Sequence, residues 1–168
     1  DLPAAEEHFA AVVQQPYQSY GTCYLYSACG LALVHQAQGR PERAREVVET
    51  AAAFILETGN TTLLALARAF QVELALRQRK TPEVHRLNEH AAYDPYPPVW
   101  FFYVPQLTPV KLLLAQNTSD SLEKTFTLLD QIDGFIRKTN RKTIRIDVLA
   151  LQALILDAQG KEPAAMER

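Results

Sequence analysis

Along this chain, segments that are apolar on most of their circumference alternate with segments that are apolar on one side only. The first kind reads YLYSACGLALVHQAQ at 24–38, LLALARAFQVELALRQ at 63–78 and VLALQALILDAQ at 148–159. A helix of that composition belongs between neighbours, as an inner element. The second kind carries Ala44, Val47, Val48, Ala51 and Ile55, or Leu122, Phe126, Leu129, Ile132 and Ile136. Those spacings of three and four are the mark of an amphipathic helix laid against an inner one. Strand patterning is nearly absent; TIRIDVLALQALIL is the one stretch where a helix and a strand compete.

The two kinds of helix meet at a recurring phrase. HQAQGRPERA at 35–44 returns as LDAQGKEPAA at 156–165, and weaker copies lie between them. The four glutamines concerned, Gln38, Gln78, Gln116 and Gln159, stand at intervals of 40, 38 and 43 residues. Val34, Leu74, Leu112 and Ile155 lie four positions before them, and Ala44, Val84, Leu122 and Ala165 six positions after. Gly39 and Gly160 can take the left-handed conformation that ends a helix, and Asn117 is the next best residue there. Pro41, Pro82 and Pro163 fall at the start of the second helix, where a missing N–H is harmless. Thr81 and Ser119 are the expected caps.

A fixed period of this kind predicts an all-α fold, an α-solenoid of antiparallel helix pairs with tetratricopeptide-like repeats about 40 residues long. Residues 1–168 form one helical-repeat domain on this reading. Residues 1–15 are a partial unit, and 20–59, 61–93, 99–139 and 142–168 are successive units, the last truncated. The missing initiator Met and the start in mid-pattern suggest a piece of a longer chain.

Charge and composition narrow the function classes. A net charge of −2 and a pI near 6.1 give no general attraction to nucleic acid or to an anionic membrane. Apolar runs are interrupted well short of the ~18 residues that span a bilayer. Cys23 and Cys29 are six apart in an apolar run, which fits buried thiols in a reducing, cytoplasmic compartment rather than a disulfide or metal pair. His8, His35, His85 and His90 are scattered, and the spacing of His85 and His90 sends them to diverging helix faces, so no metal is expected. No nucleophile motif and no phosphate loop occurs, so neither catalysis nor a cofactor is expected. The basic run Arg137, Lys138, Arg141, Lys142 and Arg145 reads as a solvated turn between repeats.

Candidate binding residues come from irregularities in the pattern. DPYPPVWFFYVPQ at 94–106 places four aromatics in succession, and these point around some 300° of a helix. They cannot all face one core, so Trp100 and Tyr103, with Gln106 one turn on, are candidates for stacking on a ligand. Pro105 and Pro109 should make that inner helix start late or kink. Tyr24, from the cluster Tyr17, Tyr20, Tyr24 and Tyr26, is a further groove candidate. Glu73 and Lys111 share one register position on adjacent inner helices, where the outer units carry Leu33 and Leu154. They are expected to face each other as an ion pair or to serve a bound ligand.

The segments LLLAQNTSDSLEKTFTLLDQI and LALQALILDAQGKEPAAMER resemble the long tetratricopeptide-type repeats of the MalT-like transcription activators, which carry a LuxR-type output domain. The resemblance covers most of the chain. It implies a non-catalytic sensor and oligomerisation region that takes a small effector, a sugar being the class suggested, or a protein or peptide partner on its concave face. Self-association belongs to the same implication. The family's nucleotide-binding and helix-turn-helix parts have no counterpart here, so no nucleic acid is expected to bind through this region. The alternative is a stand-alone tetratricopeptide-like scaffold that grips a peptide or protein.

Overall fold

In the computed structural model, residues 1–80, 84, 106–139 and 142–166 are described. Eight helices and no strand occur among them: α1 Leu2–Val13, α2 Gly21–Ala37, α3 Pro41–Glu57, α4 Thr61–Arg77, α5 Leu107–Gln116, α6 Ser119–Thr139, α7 Lys142–Ala158 and α8 Glu162–Met166. The stretch TIRIDVLALQALIL is helical throughout. The fold is the expected all-α helical repeat. Two compact units hold these elements, α1 to α4 in the first and α5 to α8 in the second.

In the first unit α2 is flanked by α1 and α3, and α4 packs on both α3 and α2. This sandwiching explains why α2 is apolar all round. Ten of its residues are buried, among them Leu25, Ala28, Cys29 and Ala32. The amphipathic α3 buries only Ala44, Val48, Ala51 and Ile55, one stripe of its circumference. In the second unit α5 and α6 pair, α7 packs against both, and α8 closes on α7. Each helix before a turn thus touches the next one of its kind, α2 with α4 and α5 with α7.

The phrase found in the sequence is a helix stop. Its glutamine closes the inner helix, and the residue after it is left-handed at all four turns: Gly39 at φ 72°, Arg79 at 57°, Asn117 at 50° and Gly160 at 71°. At three of them the following N–H reaches back six residues, Arg40 to His35 O (2.9 Å), Lys80 to Ala75 O (3.0 Å) and Lys161 to Leu156 O (2.8 Å), which satisfies carbonyls the helix leaves free. Asn117 departs from this scheme. There the next N–H, that of Thr118, donates to Ser121 Oγ (2.9 Å) while Ser121 N donates to Thr118 Oγ1 (3.1 Å). That reciprocal capping makes Thr118, not Ser119, the cap of α6. Thr81 and Pro82 lie outside the described residues.

The register read from the glutamines is the register of the core. Val34, Leu74, Leu112 and Ile155 before the turns are all buried, as are Ala44, Val84 and Leu122 after them; Ala165 is half-buried. Pro109 does not kink α5. It is the third residue of a helix that begins at Leu107, where N–H groups have no intrahelical partner to lose.

One contact in the first unit leaves no room for a side chain. A Cβ on Gly30 of α2 would lie 2.7 Å from Cζ of Phe9 and 2.8 Å from both Cε atoms, so the Phe9 ring of α1 sits directly on the α2 backbone. Gly30→Val should therefore cost about 1–3 kcal/mol through overpacking. In denaturant unfolding, the double variant Phe9→Ala/Gly30→Val should lose less than the sum of the two single losses.

Candidate functional site

The polar residues that converge in the first unit are those of the turn phrase and its neighbours. Gln38 Nε2 donates to Glu6 Oε2 of α1 (2.8 Å), and Arg40 Nη2 binds the same oxygen at 2.7 Å. Arg40 also donates to Gln38 Oε1. His35 Nδ1, from a buried ring, lies 3.8 Å from Glu6 Oε1. One repeat later the pattern recurs with different partners. Gln78 Nε2 donates to Gln36 Oε1 (2.9 Å) and to the Pro41 carbonyl (3.1 Å), and Lys80 stands 3.6 Å from Glu42 Oε1. Glu42 is also paired with Arg45. In both cases the closing glutamine and the cation two residues on reach back to an amide or carboxylate of the preceding repeat.

Electrostatics at Glu6 follow from this grip. Hydrogen bonds from Arg40 and Gln38 hold its carboxyl below the usual carboxylate range, against a weaker opposing effect of burial. A carboxyl so lowered contributes stability above its unfolded value and loses it as pH falls through the lowered folded value.

The second unit carries a carboxylate clamp of another design. Asp133 of α6 is buried; Arg137 Nε donates to its Oδ2 (2.6 Å), and Arg145 Nε of α7 lies 3.3 Å from Oδ1. Burial of a carboxylate demands such partners. Two members of the basic run read as a solvated turn thus converge on one acid and tie α6 to α7. Arg141 lies outside the described residues.

Trp100 and Tyr103 also fall outside the described residues; Gln106 caps α5 and is half-buried. Tyr24 is a core residue rather than a groove residue: it is 2 % exposed, and its ring meets that of Phe54 edge-on at 4.8 Å. The reason is that α2 is covered on both sides, so its residues 24 and 26 are buried although they point apart. Glu73 is buried and takes Arg77 Nε of its own helix at 3.0 Å. Lys111, half-buried on α5, belongs to the other unit. Of the two thiols expected to be buried, Cys29 is, and burial pushes its pKa up; Cys23, in the first turn of α2, is exposed. Among the described residues no three His, Cys, Asp or Glu side chains group as metal ligands, and no helix is long and apolar enough to cross a membrane.

Sequence reading passed over Glu6, Gln36 and Asp133, because an acid or amide on an amphipathic helix looks the same whether or not a partner from another element reaches it. The recurrence of a cation two residues after the glutamine, at Arg40, Lys80 and Lys161, was the available signal.

The model of the MalT-like TPR region matches residues 1–168. The chain belongs to that family. No curated protein and no solved structure matches the sequence. For a MalT-like TPR region, glutamine-closed turns that hold neighbouring repeats together are the structural core of the domain.

Two predictions test that account. Gln78→Ala removes two hydrogen bonds to the preceding repeat and should cost about 1–2 kcal/mol. Gln159→Ala, at an exposed copy of the same position, should stay within about 0.5 kcal/mol in the same urea titration. Glu6→Gln should unfold at a lower temperature than the parent at neutral pH. That gap should close as pH falls below the ordinary carboxylate value of 4.5, because the parent then loses the same charge.

Proposed function

We propose that this MalT-like TPR region is the non-catalytic sensor and assembly domain of a cytoplasmic, LuxR-type transcription regulator. It takes a small effector or a protein partner on the face lined by its inner helices. Membership of the family over the full 168 residues is the observation that carries this reading. The clasps between repeats supply a means of response. In stacked repeats each unit contacts only its neighbours, so a ligand that alters one junction alters the disposition of everything beyond it.

Trp100, Tyr103 and Gln106 are the residues we assign to the effector, with Glu73 and Lys111 as polar groups on neighbouring inner helices. Tyr24 leaves that set because its ring is engaged in the core. Aromatic faces with an amide nearby suit a sugar or a short peptide.

A thermal-shift screen of the domain against oligosaccharides, other metabolites and short peptides tests the assignment. A ligand present at a hundred times its Kd stabilises by about 2.7 kcal/mol, which for a domain of this size is roughly 5–10 °C in Tm. The expected result is one chemical class that produces such a shift with the parent and none with Trp100→Ala. A shift of equal size in the variant would overturn the assignment, and so would no shift with any class.

A further inference from the structure

Three apolar residues on α7 lie in a row facing solvent. Ile146 is 67 % exposed and Leu154 54 %, with exposed Ala150 between them at the four-residue spacing of one helix face. An inner helix elsewhere hides this row. Counted back from the closing glutamine, Ile146, Ala150 and Leu154 hold the places of Leu25, Cys29 and Leu33 on α2. Leu25 and Cys29 are fully buried, in one cluster with Ala67, Phe70 and Leu74 of α4. That row on α2 is therefore part of the seat of the next inner helix, and on α7 the same seat is open.

Charge says what kind of helix would sit there. At 100° per residue, Asp147 and Asp157 fall within the same arc of about 120° as the apolar row, and both are exposed. Asp157 stands where α2 has Gln36, the residue that accepts from Gln78 across the repeat junction. An incoming helix with a cation or amide at its end would meet an acid at that point. The helix that fills the seat on α2 has this character. Residues 61–80 carry Arg68, Arg77, Arg79 and Lys80 against a single acid, Glu73. A second copy of the α7 face would instead set its own aspartates against these two, and like charges in close apposition repel.

We propose that the Ile146–Ala150–Leu154 face of α7 is a docking surface for a cationic amphipathic α-helix of a partner protein, seated as α4 is seated on α2. The surface is independent of the effector residues assigned above. Binding combines burial of the apolar row with neutralisation of Asp147 and Asp157, and so weakens with salt.

The probe is a fluorescein-labelled peptide of residues 61–80, titrated with the whole chain and followed by fluorescence anisotropy. Saturable binding is expected, weakened about tenfold or more by the double variant Ile146→Ser/Leu154→Ser. Asp147→Asn/Asp157→Asn should weaken it about threefold at low salt and less at physiological salt. All four positions are exposed, so the variants should keep the parent's Tm, which the same samples report. The proposal is overturned if the peptide fails to saturate up to about 1 mM. Equal binding by a scrambled peptide, or by the serine variant, overturns it as well. Self-association of the parent that the serine variant abolishes would give the face to a second copy and overturn the cationic helix as its occupant.

Discussion

The whole arrangement depends on how an inner helix stops. At each turn one residue in the left-handed conformation reverses the chain, and at three turns two backbone hydrogen bonds satisfy carbonyls that would otherwise be stranded. Because the glutamine is the last residue before the reversal, its side chain is carried to the boundary with the preceding repeat. Stop and clasp are thus one device. This explains why a phrase with no reactive group recurs through the chain: its residues are selected by a backbone requirement and by a neighbour, not by chemistry on a substrate.

The turns also show how much variation the device tolerates. Arg79 occupies a left-handed position that glycine fills at 39 and 160, and a side chain there is disfavoured by about 1–2 kcal/mol. The strain persists because Gln78 and Lys80 on either side are both engaged with the preceding repeat. At Asn117 the long backbone hydrogen bond is replaced by the Thr118–Ser121 capping pair, and α6 starts at once. Each solution meets the same need, to leave no backbone group unpaired where two helices join.

Polar groups in this domain are distributed by the same logic. Glu6 holds one turn to α1, Asp133 holds α6 to α7, and Glu73 is neutralised within its own helix. None of these acids is gathered with others into a reactive cluster. For a protein that reads a ligand through the relation between repeats, charges placed at junctions matter more than charges placed in a pocket.

Helix type, repeat length and core register were legible in the sequence because they follow from local requirements that each repeat must meet with its own residues. A glycine or asparagine must stand near the reversal, a proline is tolerated only near a helix start, and apolar residues four before and six after the glutamine must face inward. The partners were not legible in the same way. Whether Tyr24 met a groove or Phe54, whether Arg137 and Arg145 were solvated or shared Asp133, and whether Cys23 and Cys29 were both hidden depended on which neighbouring helix covered which arc. Side-chain periodicity records that a face is buried or bare on average, but contact between residues distant in the chain is set by packing angles and turn geometry. The repeat was determined by the sequence itself; the clasps that join repeats, and the bare seat on α7, were decided only when the helices were laid side by side.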